Sequence, residues 1–320
     1  MRYIIAITLI VFAGCPLGTP LDHSRPHGHQ NTTLDIAPND DAILFNAAGR
    51  GGRDLYLLKL EHLSITRITN SRDYEVDPSF SDDGKMITFA AGVPGDRADH
   101  IFVMGLDGSS KQQLTNVDAN DMDPEFSPEG NQVVFTRDKT YGWGGLAANW
   151  NVTGVICVVN IDGTGEIQLT PNDWNAHSPS FSIDGSKVHF FTPEGRFTIK
   201  SDGSGKPIKI GELTSGRFSN DQKAIVYSDG KYSPDHEIFI SNADESNRKQ
   251  LTNSKNGCFN GIFNNNKTKI YFTMEEWPNG FSGHPKSSLW SVNSDGTNQI
   301  QITNLDMFDS PSKWKPKNTP

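Results

Sequence analysis

The sequence of 320 residues predicts an all-β protein, a six-bladed β-propeller whose blades are four-stranded antiparallel sheets. First, a unit of four short strands separated by turns recurs along the chain. Second, a Thr that follows Leu or Ile near the end of this unit recurs at Thr69, Thr115, Thr170, Thr252 and Thr303. The intervals are 46, 55, 82 and 51 residues, and the longest holds two units that average 41. Repeats of this length with four strands are typical of propeller blades, which close into a ring because none buries both faces alone.

Blades one to three are predicted from short apolar runs bounded by Gly, Pro and Asp. Composition agrees, because 30 Gly and 18 Pro suit many short strands joined by turns. The predicted strand segments are Leu34–Ile36, Ile43–Phe45, Leu55–Leu58 and Arg67–Asn70 in blade one; Asp77–Ala90 (two strands around a Gly turn), Ile101–Gly108 and Gln113–Asn116 in blade two; and Asp123–Gly130, Val133–Phe135, Ile156–Gly163 and Gln168–Thr170 in blade three.

Blades four to six repeat the pattern, except that the fourth strand of blade four lacks the Leu-Thr-Asn ending. The predicted segments are Ser178–Gly185, Val188–Phe191, Phe197–Ile199 and Pro207–Ile210; Gly216–Asp221, Ala224–Tyr227, Glu237–Ile240 and Gln250–Asn253; and Gly261–Asn264, Lys269–Phe272, Leu289–Val292 and Gln301–Asn304. A partial seventh copy, Asp309–Trp314, leaves ring closure open. Either it supplies an inner strand while residues 32–36 move elsewhere, or it lies outside the ring.

Most of the recurrent polar residues are predicted to shape hairpin turns. A Gly after Asp or Glu supplies the positive φ angle that such turns need. These pairs are Asp83-Gly84, Asp107-Gly108, Glu129-Gly130, Asp162-Gly163, Asp184-Gly185, Asp202-Gly203 and Asp295-Gly296. A residue that recurs in nearly every blade at a turn indicates scaffold rather than a binding site.

The repeated pattern of Phe-Ser-x-Asp-Gly, an Ile/Val-x-Phe strand, Ile-Phe-Val-x-x-x-Asp-Gly and Gln-Leu-Thr-Asn resembles the TolB-type six-bladed β-propeller repeat. The resemblance extends from about residue 32 to the C-terminus and implies the fold. It implies little about function, because this repeat occurs in many unrelated proteins. TolB also has an α/β domain before its propeller, and residues 15–32 leave no room for one, so the resemblance is to the propeller part.

The N-terminus predicts export. Arg2 precedes an apolar run of ten residues, Tyr3–Phe12, and Phe12-Ala13-Gly14-Cys15 resembles the lipobox of bacterial lipoproteins. We therefore expect a signal peptide at 1–14, lipidation at Cys15, a flexible tether at 15–31 and the propeller at 32–320, in the periplasm or cell envelope. An ordinary secretory signal is the alternative. Pro16 is not the Asp that marks inner-membrane retention, which favours the outer membrane.

Charge and residue types exclude several function classes. The net charge of −9 argues against nucleic acid, which needs a basic face. Cys157 and Cys258 fall three blades apart and are predicted to be buried thiols. We expect no metal and no cofactor, since residues 117–123 lack the Gly and the bidentate Glu of a calcium loop. No Gly-x-Ser-x-Gly elbow indicates a serine hydrolase.

Non-repeating insertions indicate where function lies. Loops between the second and third strands share one side of the propeller, here called the loop face, with the connections between blades. Exposed aromatic residues beside carboxylates on such a face are typical of contact surfaces. The candidate binding residues are Tyr74, Glu75, Asp77, Asp121, Asp123, Tyr141, Trp143, Trp150, Trp174, His177, Tyr232, Trp277, Phe281 and His284. The alternative is that the aromatic residues merely cover the end of the core.

Three functions remain open from the sequence. We favour a non-enzymatic, monomeric envelope lipoprotein whose propeller binds an envelope protein, a peptide segment or a glycan through the loop face. The second is a carbohydrate-active enzyme, a lyase or glycoside hydrolase, that uses Asp, Glu or His of the loop face. The third is a purely structural envelope component.

Overall fold

The structure is a computed structural model that describes residues 33–48, 52–71, 74–93, 95–96, 98–138, 154–230, 235–276 and 286–303. The chain divides into a unit of residues 1–30 and a unit of residues 31–320, and all described residues belong to the second. Within them, the chain forms six four-stranded antiparallel sheets. The predicted all-β six-bladed propeller is therefore confirmed.

Every blade has its strands in sequence order from the axis outward. Blade 1 contains β1 (Leu34–Ile36), β2 (Ala42–Ala48), β3 (Arg53–Lys59) and β4 (Ser64–Arg67). Blade 2 contains β5 (Glu75–Phe80), β6 (Met86–Gly92), β7 (Asp99–Gly105) and β8 (Gln112–Gln113). Blade 3 contains β9 (Asn120–Phe126), β10 (Gln132–Asp138), β11 (Gly154–Asn160) and β12 (Ile167–Gln168).

The second half of the ring follows the same order. Blade 4 contains β13 (His177–Phe181), β14 (Lys187–Thr192), β15 (Gly195–Lys200) and β16 (Ile208–Gly211). Blade 5 contains β17 (Arg217–Phe218), β18 (Ala224–Asp229), β19 (Glu237–Asn242) and β20 (Lys249–Gln250). Blade 6 contains β21 (Gly257–Phe263), β22 (Lys269–Glu276), β23 (Lys286–Asn293) and β24 (Ile300–Gln301). The side opposite the loop face carries the short hairpins of each blade and is called the hairpin face.

The core lies between blades rather than within them. Apolar side chains of neighbouring sheets interdigitate, as where Leu44 and Leu55 of blade 1 join Phe80 and Phe89 of blade 2. Similar clusters join blades 2 and 3, 3 and 4, 5 and 6, and 6 and 1. Burial of these faces is the main favourable contribution to the ring.

Blade 6 closes the ring against blade 1. β1 pairs with β2, so residues 34–36 form the inner strand of their own blade. Tyr271 and Leu289 pack against Leu34, and the amide of Asn265 donates to Asp40 Oδ1 at 2.9 Å. The partial copy Asp309–Trp314 lies outside the described residues. Of the two possibilities left open by the sequence, β1 holds the inner position of blade 1.

The repeated Thr has a structural role. In five blades its Oγ1 accepts a hydrogen bond from the amide of a buried residue at the start of the third strand. The pairs are Leu55–Thr69, Ile101–Thr115, Ile156–Thr170, Ile238–Thr252 and Leu289–Thr303, at 2.8–3.0 Å. The Leu before this Thr is buried in blades 2, 3 and 5. The marker therefore fastens the outer strand, and blade 4 is built without it.

The predicted turns are confirmed. Gly84 and Gly108, for example, have φ angles of 68° and 84°. Blades 1, 5 and 6 place Asp40, Gln222 and Lys267 at the position of Gly84, with φ angles of 59°, 52° and 57°. These three side chains contact the preceding blade around the ring, which Gly does not do.

Two further expectations bear on the fold. Cys157 and Cys258 are buried in blades 3 and 6, as predicted. The signal peptide, Cys15 and the tether lie outside the described residues. In the described part of the chain, we find no helix that is long and apolar enough to cross a membrane.

Candidate functional site

A β-bulge interrupts the inner strand at the same level in four blades. The pairing register shifts in β5, β9, β13 and β21, each time near a residue in the left-handed region. These residues are Asp77, Asp123, Ser178 and Asn260, with φ angles of 51°, 51°, 48° and 55°. Bulges redirect side chains, and short polar residues tolerate positive φ best. The inner strands thereby present four polar side chains at one level of the axis.

Hydrogen bonds connect this level between blades 1, 2 and 3. Thr33 Oγ1 donates to Asp77 Oδ1 at 3.2 Å, and the amide of Asp77 donates to Thr33 Oγ1 at 3.1 Å. The amide of Asp123 donates to Asp77 Oδ2 at 3.4 Å, and Thr136 Oγ1 donates to Asp123 Oδ2 at 3.4 Å. The two carboxyl groups therefore lie side by side near the loop face.

The environment of Asp77 favours its protonated form. Burial raises the pKa of Asp77 to about 7, and the neighbouring Asp123 adds to the increase, although hydrogen bonds from Asp123 and Thr33 oppose it. His177, on the adjacent inner strand, has its pKa lowered by burial, against the attraction of Asp123. Its ring stacks on Phe191 at 6.2 Å. This level of the axis thus offers hydrogen-bond acceptors, together with a carboxyl group, that of Asp77, whose pKa is close to neutral pH.

A second polar level lies closer to the hairpin face. Asp35 Oδ2 accepts from the amide of Phe80 at 2.7 Å, and Glu125 Oε1 accepts from the amide of Phe181 at 3.2 Å. Arg217 of blade 5 reaches blade 1, where its Nη1 donates to the carbonyl of Leu34 at 2.6 Å. Blade 6 separates these two blades, so the guanidinium reaches past the inner strand of blade 6. It therefore lies among the inner strands at this level.

Burial also shifts the carboxyl groups of the second level. Burial raises the pKa of Glu125 to about 8, Arg217 opposes this, and Asp35 and Asp82 add to it. The pKa of Asp35 is raised by burial and held back by Arg217. One guanidinium therefore acts against the desolvation of several carboxyl groups.

Other candidate residues of the loop face lie in the blades rather than at the axis. Glu75 is buried and pairs with Lys111 at 3.1 Å. Asp121 is buried and pairs with Arg137, Nε to Oδ1, at 2.7 Å. Trp174 packs on Phe190 and Phe197 at ring distances of 6.2 and 5.0 Å. The two ion pairs therefore stabilise blades 2 and 3 internally, and Trp174 packs on blade 4 at the loop face.

The remaining candidates are only partly described. Tyr74 is half-buried at the entrance to β5. Seven residues lie outside the described ranges, namely Tyr141, Trp143, Trp150, Tyr232, Trp277, Phe281 and His284. The structure thus brings together Asp77, Asp123 and His177 from the predicted set.

The sequence analysis missed the second axial level. Asp35, Glu125 and Arg217 each precede the last residue of an inner strand, a position held by Ser79 and Ser180 in blades 2 and 4. The sequence did contain a signal. This one position of the repeat holds an acid in two blades, a hydroxyl in two and a cation in one, while the surrounding positions vary little. Comparison of the blades column by column would have found it.

The polar side chains at the axis are arranged as hydrogen-bond acceptors rather than as a set of metal ligands. Among the described residues, no group of three or more His, Cys, Asp or Glu side chains has a geometry that could hold a metal ion. Chemically, the loop-face level can accept hydrogen bonds from a donor or cation that enters along the axis. Asp77, whose pKa is raised to about 7, can also exchange a proton near neutral pH.

Comparisons with known proteins agree with this architecture. Residues 26–140 match the family model of the TolB beta propeller domain. No curated protein matches the sequence significantly. The structure is similar to TolB from Acinetobacter baumannii, with a TM-score of 0.53 and 21% identity, over 68% of this chain and 52% of that one. This chain therefore spans about half the length of that protein.

Two other similar structures belong to different kinds of protein. The oligogalacturonate lyase from Vibrio parahaemolyticus has a TM-score of 0.57 and 16% identity, over 84% of this chain and 76% of that one. A chain of a nidogen/laminin complex has a TM-score of 0.56 and 14% identity, over 81% and 91%. At these identities the similarity concerns the fold alone. Residues 26–140 are therefore similar to the TolB beta propeller domain, and the described chain as a whole has the fold of a six-bladed β-propeller.

Proposed function

We propose that this protein is a cell-envelope lipoprotein whose propeller binds a protein or peptide segment at the loop-face end of its axis. The carboxyl groups of Asp77 and Asp123 and the imidazole of His177 form the centre of the contact. Aromatic residues of the loop face, such as Trp143 and Trp277, form its periphery. The protein acts by binding and carries out no chemistry on the partner.

The observation that supports this most strongly is the placement of Asp77 and Asp123 by bulges at one level of the axis. Each carboxyl group accepts only weak, long hydrogen bonds there, from 3.2 to 3.4 Å. Their retained capacity to accept favours a partner that brings backbone amides, an ammonium or a guanidinium. Arg217 places a positive charge at the hairpin-face level, which disfavours a cationic segment there, so we expect such a segment to enter from the loop face.

Binding is tested with a charge-removing pair of variants and a matched control. Asp77→Asn and Asp123→Asn keep side-chain size, and Asn tolerates the left-handed backbone at both positions. We expect the double variant to lose most of the partner recovered by affinity capture from solubilised envelope. Glu129→Gln removes an equally negative, exposed side chain on the hairpin face and should retain the partner. Equal recovery by both variants would remove the axial site from the proposal.

Anchoring is tested independently of binding. Three acyl chains at Cys15 would hold the protein firmly, because each buried methylene contributes about 0.8 kcal/mol. Cys15→Ser is expected to move the protein from the membrane fraction to the soluble periplasmic fraction. An ordinary cleaved signal would leave both forms soluble. Fractionation of inner and outer membranes tests the preference for the outer membrane.

A second candidate is a carbohydrate-active enzyme. It is favoured by the carboxyl pair at the axis, where the raised pKa of Asp77 suits proton transfer near neutral pH. The fold similarity to an oligogalacturonate lyase makes oligogalacturonate the first substrate to try. Release of unsaturated products by the wild type, abolished in Asp77→Asn, would establish this function in place of the first.

A further inference from the structure

The boundary between blades 4 and 5 differs from the other five. Among the described residues, an apolar cluster spans each of the other boundaries, and none spans this one. The same boundary follows the outer strand that lacks the Leu-Thr marker. The two departures from the repeat therefore coincide.

A buried arginine stands where the other blades have an apolar residue. Arg196 pairs with Phe191 in the β14–β15 hairpin, at the register position of Leu55, Ile101, Ile156, Ile238 and Leu289. Those five residues are fully buried, and each has its amide fastened by the marker Thr. Arg196 is equally buried, with 1% of its surface exposed. A cation and its polar partners thus occupy a position that is apolar in the other five blades.

The guanidinium of Arg196 is only partly satisfied. Its Nη2 donates to the carbonyls of Ile210 at 3.3 Å and Ala243 at 2.5 Å. Nε and Nη1 are buried and have no hydrogen-bond partner. The nearest carboxylate, of Glu245, lies 3.6 Å from Nη2. A buried donor without an acceptor destabilises the closed boundary relative to one that admits water.

Glu245 fastens blade 5 to blade 4. Its carboxylate accepts from the amides of Glu212 and Leu213, each at 3.0 Å, just beyond β16. Glu245 stands at the turn position of Gly108, with a φ angle of 65°. Glu245 thus keeps the left-handed backbone of this turn, and its side chain bridges two blades. We call Arg196 and Glu245 the polar clamp.

The clamp is linked to the axis through β17, which has two residues. Phe218 lies between blades, with its ring 5.2 Å from that of His189 and 5.1 Å from the Arg196 guanidinium. Its neighbour Arg217 reaches past blade 6 to Leu34 and Asp35 of blade 1. Movement of β17 away from blade 4 would therefore also displace Arg217 from these contacts.

We propose that the ring is built to part at the boundary between blades 4 and 5, with the polar clamp as its latch and Arg217 as the axial group that the parting releases. Polar contacts are replaced by water when they open, whereas apolar clusters lose their burial, so this boundary opens at the lowest cost. Parting of the ring at this boundary does not depend on the identity of a ligand.

Hydrogen exchange with Gly substitutions tests the latch. Glu245→Gly and Asp40→Gly each restore the residue that other blades use at that turn, so neither strains the backbone. Asp40 is the matched control because it also bridges two blades from a left-handed turn, but its boundary has an apolar cluster. In Glu245→Gly we expect exchange of the amides of β16 and β17 to rise about tenfold or more. In Asp40→Gly, exchange in β1 and β21 should change less than about twofold.

A second measurement uses the wild type. In the wild type, the amides of β16 and β17 should exchange faster than the amides of the equivalent strands at the other five boundaries. Equal protection of all six boundaries, or equal responses to the two Gly variants, would overturn the proposal. If Glu245 served only to form its turn, Glu245→Gly would relieve backbone strain and hydrogen exchange would become slower.

Discussion

The guanidinium of Arg217 faces the carboxylate of Asp35 among the inner strands of the propeller, with Nη1 3.7 Å from Oδ1. The two residues belong to blades 5 and 1, which are not neighbours in the ring. The same cation lowers the pKa of Glu125 and of Asp77 against the effect of burial. The positive charge of Arg217 thus partly offsets the negative charge that several carboxyl groups bring to the axis.

Replacing this cation should destabilise the protein mainly at alkaline pH. In Arg217→Met, the ionised forms of Asp35 and Glu125 lose their favourable neighbour, so their pKa values rise further. We expect a lower melting temperature at about pH 8.5 and a much smaller loss at about pH 5.5, where Glu125, with a pKa of about 8, is protonated. Arg248→Met, which removes a half-exposed cation from the same blade, is the control and should show no such pH dependence. Equal losses at both pH values would contradict the electrostatic role of Arg217.

Stability should fall as pH rises from about 5 to about 8. A carboxyl group whose pKa is raised by folding keeps a proton that the unfolded chain releases, so ionisation at higher pH favours unfolding. Glu125, with a pKa of about 8, contributes to this trend. Glu125→Gln cannot ionise, and we expect it to be more stable than the wild type at pH 9 by about 1–3 kcal/mol. The full shift would give more, but the side chain of Glu125 is only partly buried and retains some hydration.

Chemical denaturation across the pH range measures this difference. Glu129→Gln, on the exposed turn next to the same strand, is the matched control and should follow the wild-type profile. A flat wild-type profile would mean that Glu125 ionises normally at the axis.

The sequence was sufficient to predict the blades but not which polar side chains meet. The repeat period and the turn residues show which positions are equivalent in different blades. Both can be read from local sequence patterns. Glu75 and Asp77 would share one face of a regular strand, since side chains alternate with a period of two. The bulge between Val76 and Ser79 separates them, so that Glu75 pairs within its blade and Asp77 reaches the axis.

Contacts between distant parts of the chain also could not be predicted from the repeat pattern. Arg217 and Leu34 are 183 residues apart, and nothing local indicates that their blades meet. The departure of blade 4 was visible as a missing Leu-Thr-Asn ending. Its physical meaning, a buried Arg196 in place of an apolar residue, required the register of β14 and β15.

Removal of a marker Thr should weaken its blade. Thr115 is buried, and its Oγ1 accepts from the amide of Ile101 at 3.0 Å. Thr115→Val keeps the shape but leaves that amide without an acceptor, which should cost about 1–2 kcal/mol in the free energy of unfolding. Thr115→Ser keeps the hydroxyl and should recover part of the loss. Urea denaturation of both variants measures the effect, and a fully stable Val variant would show that the hydroxyl is dispensable.

A single turn substitution should stabilise the protein. Ser110 is exposed and has a φ angle of 55°, whereas Gly165 and Gly205 hold the equivalent position in blades 3 and 4. A left-handed residue with a Cβ costs about 1–2 kcal/mol, while Gly gives the unfolded chain more freedom, which offsets about half of that gain. We therefore expect Ser110→Gly to raise the free energy of unfolding by about 0.5–1 kcal/mol, seen as a slightly higher melting temperature. Ser109→Gly, at a neighbouring position without positive φ, lacks the strain to relieve and should lower stability. If both variants were destabilised alike, the turn would carry no strain at Ser110, and its conformation would be as favourable for Ser as for Gly.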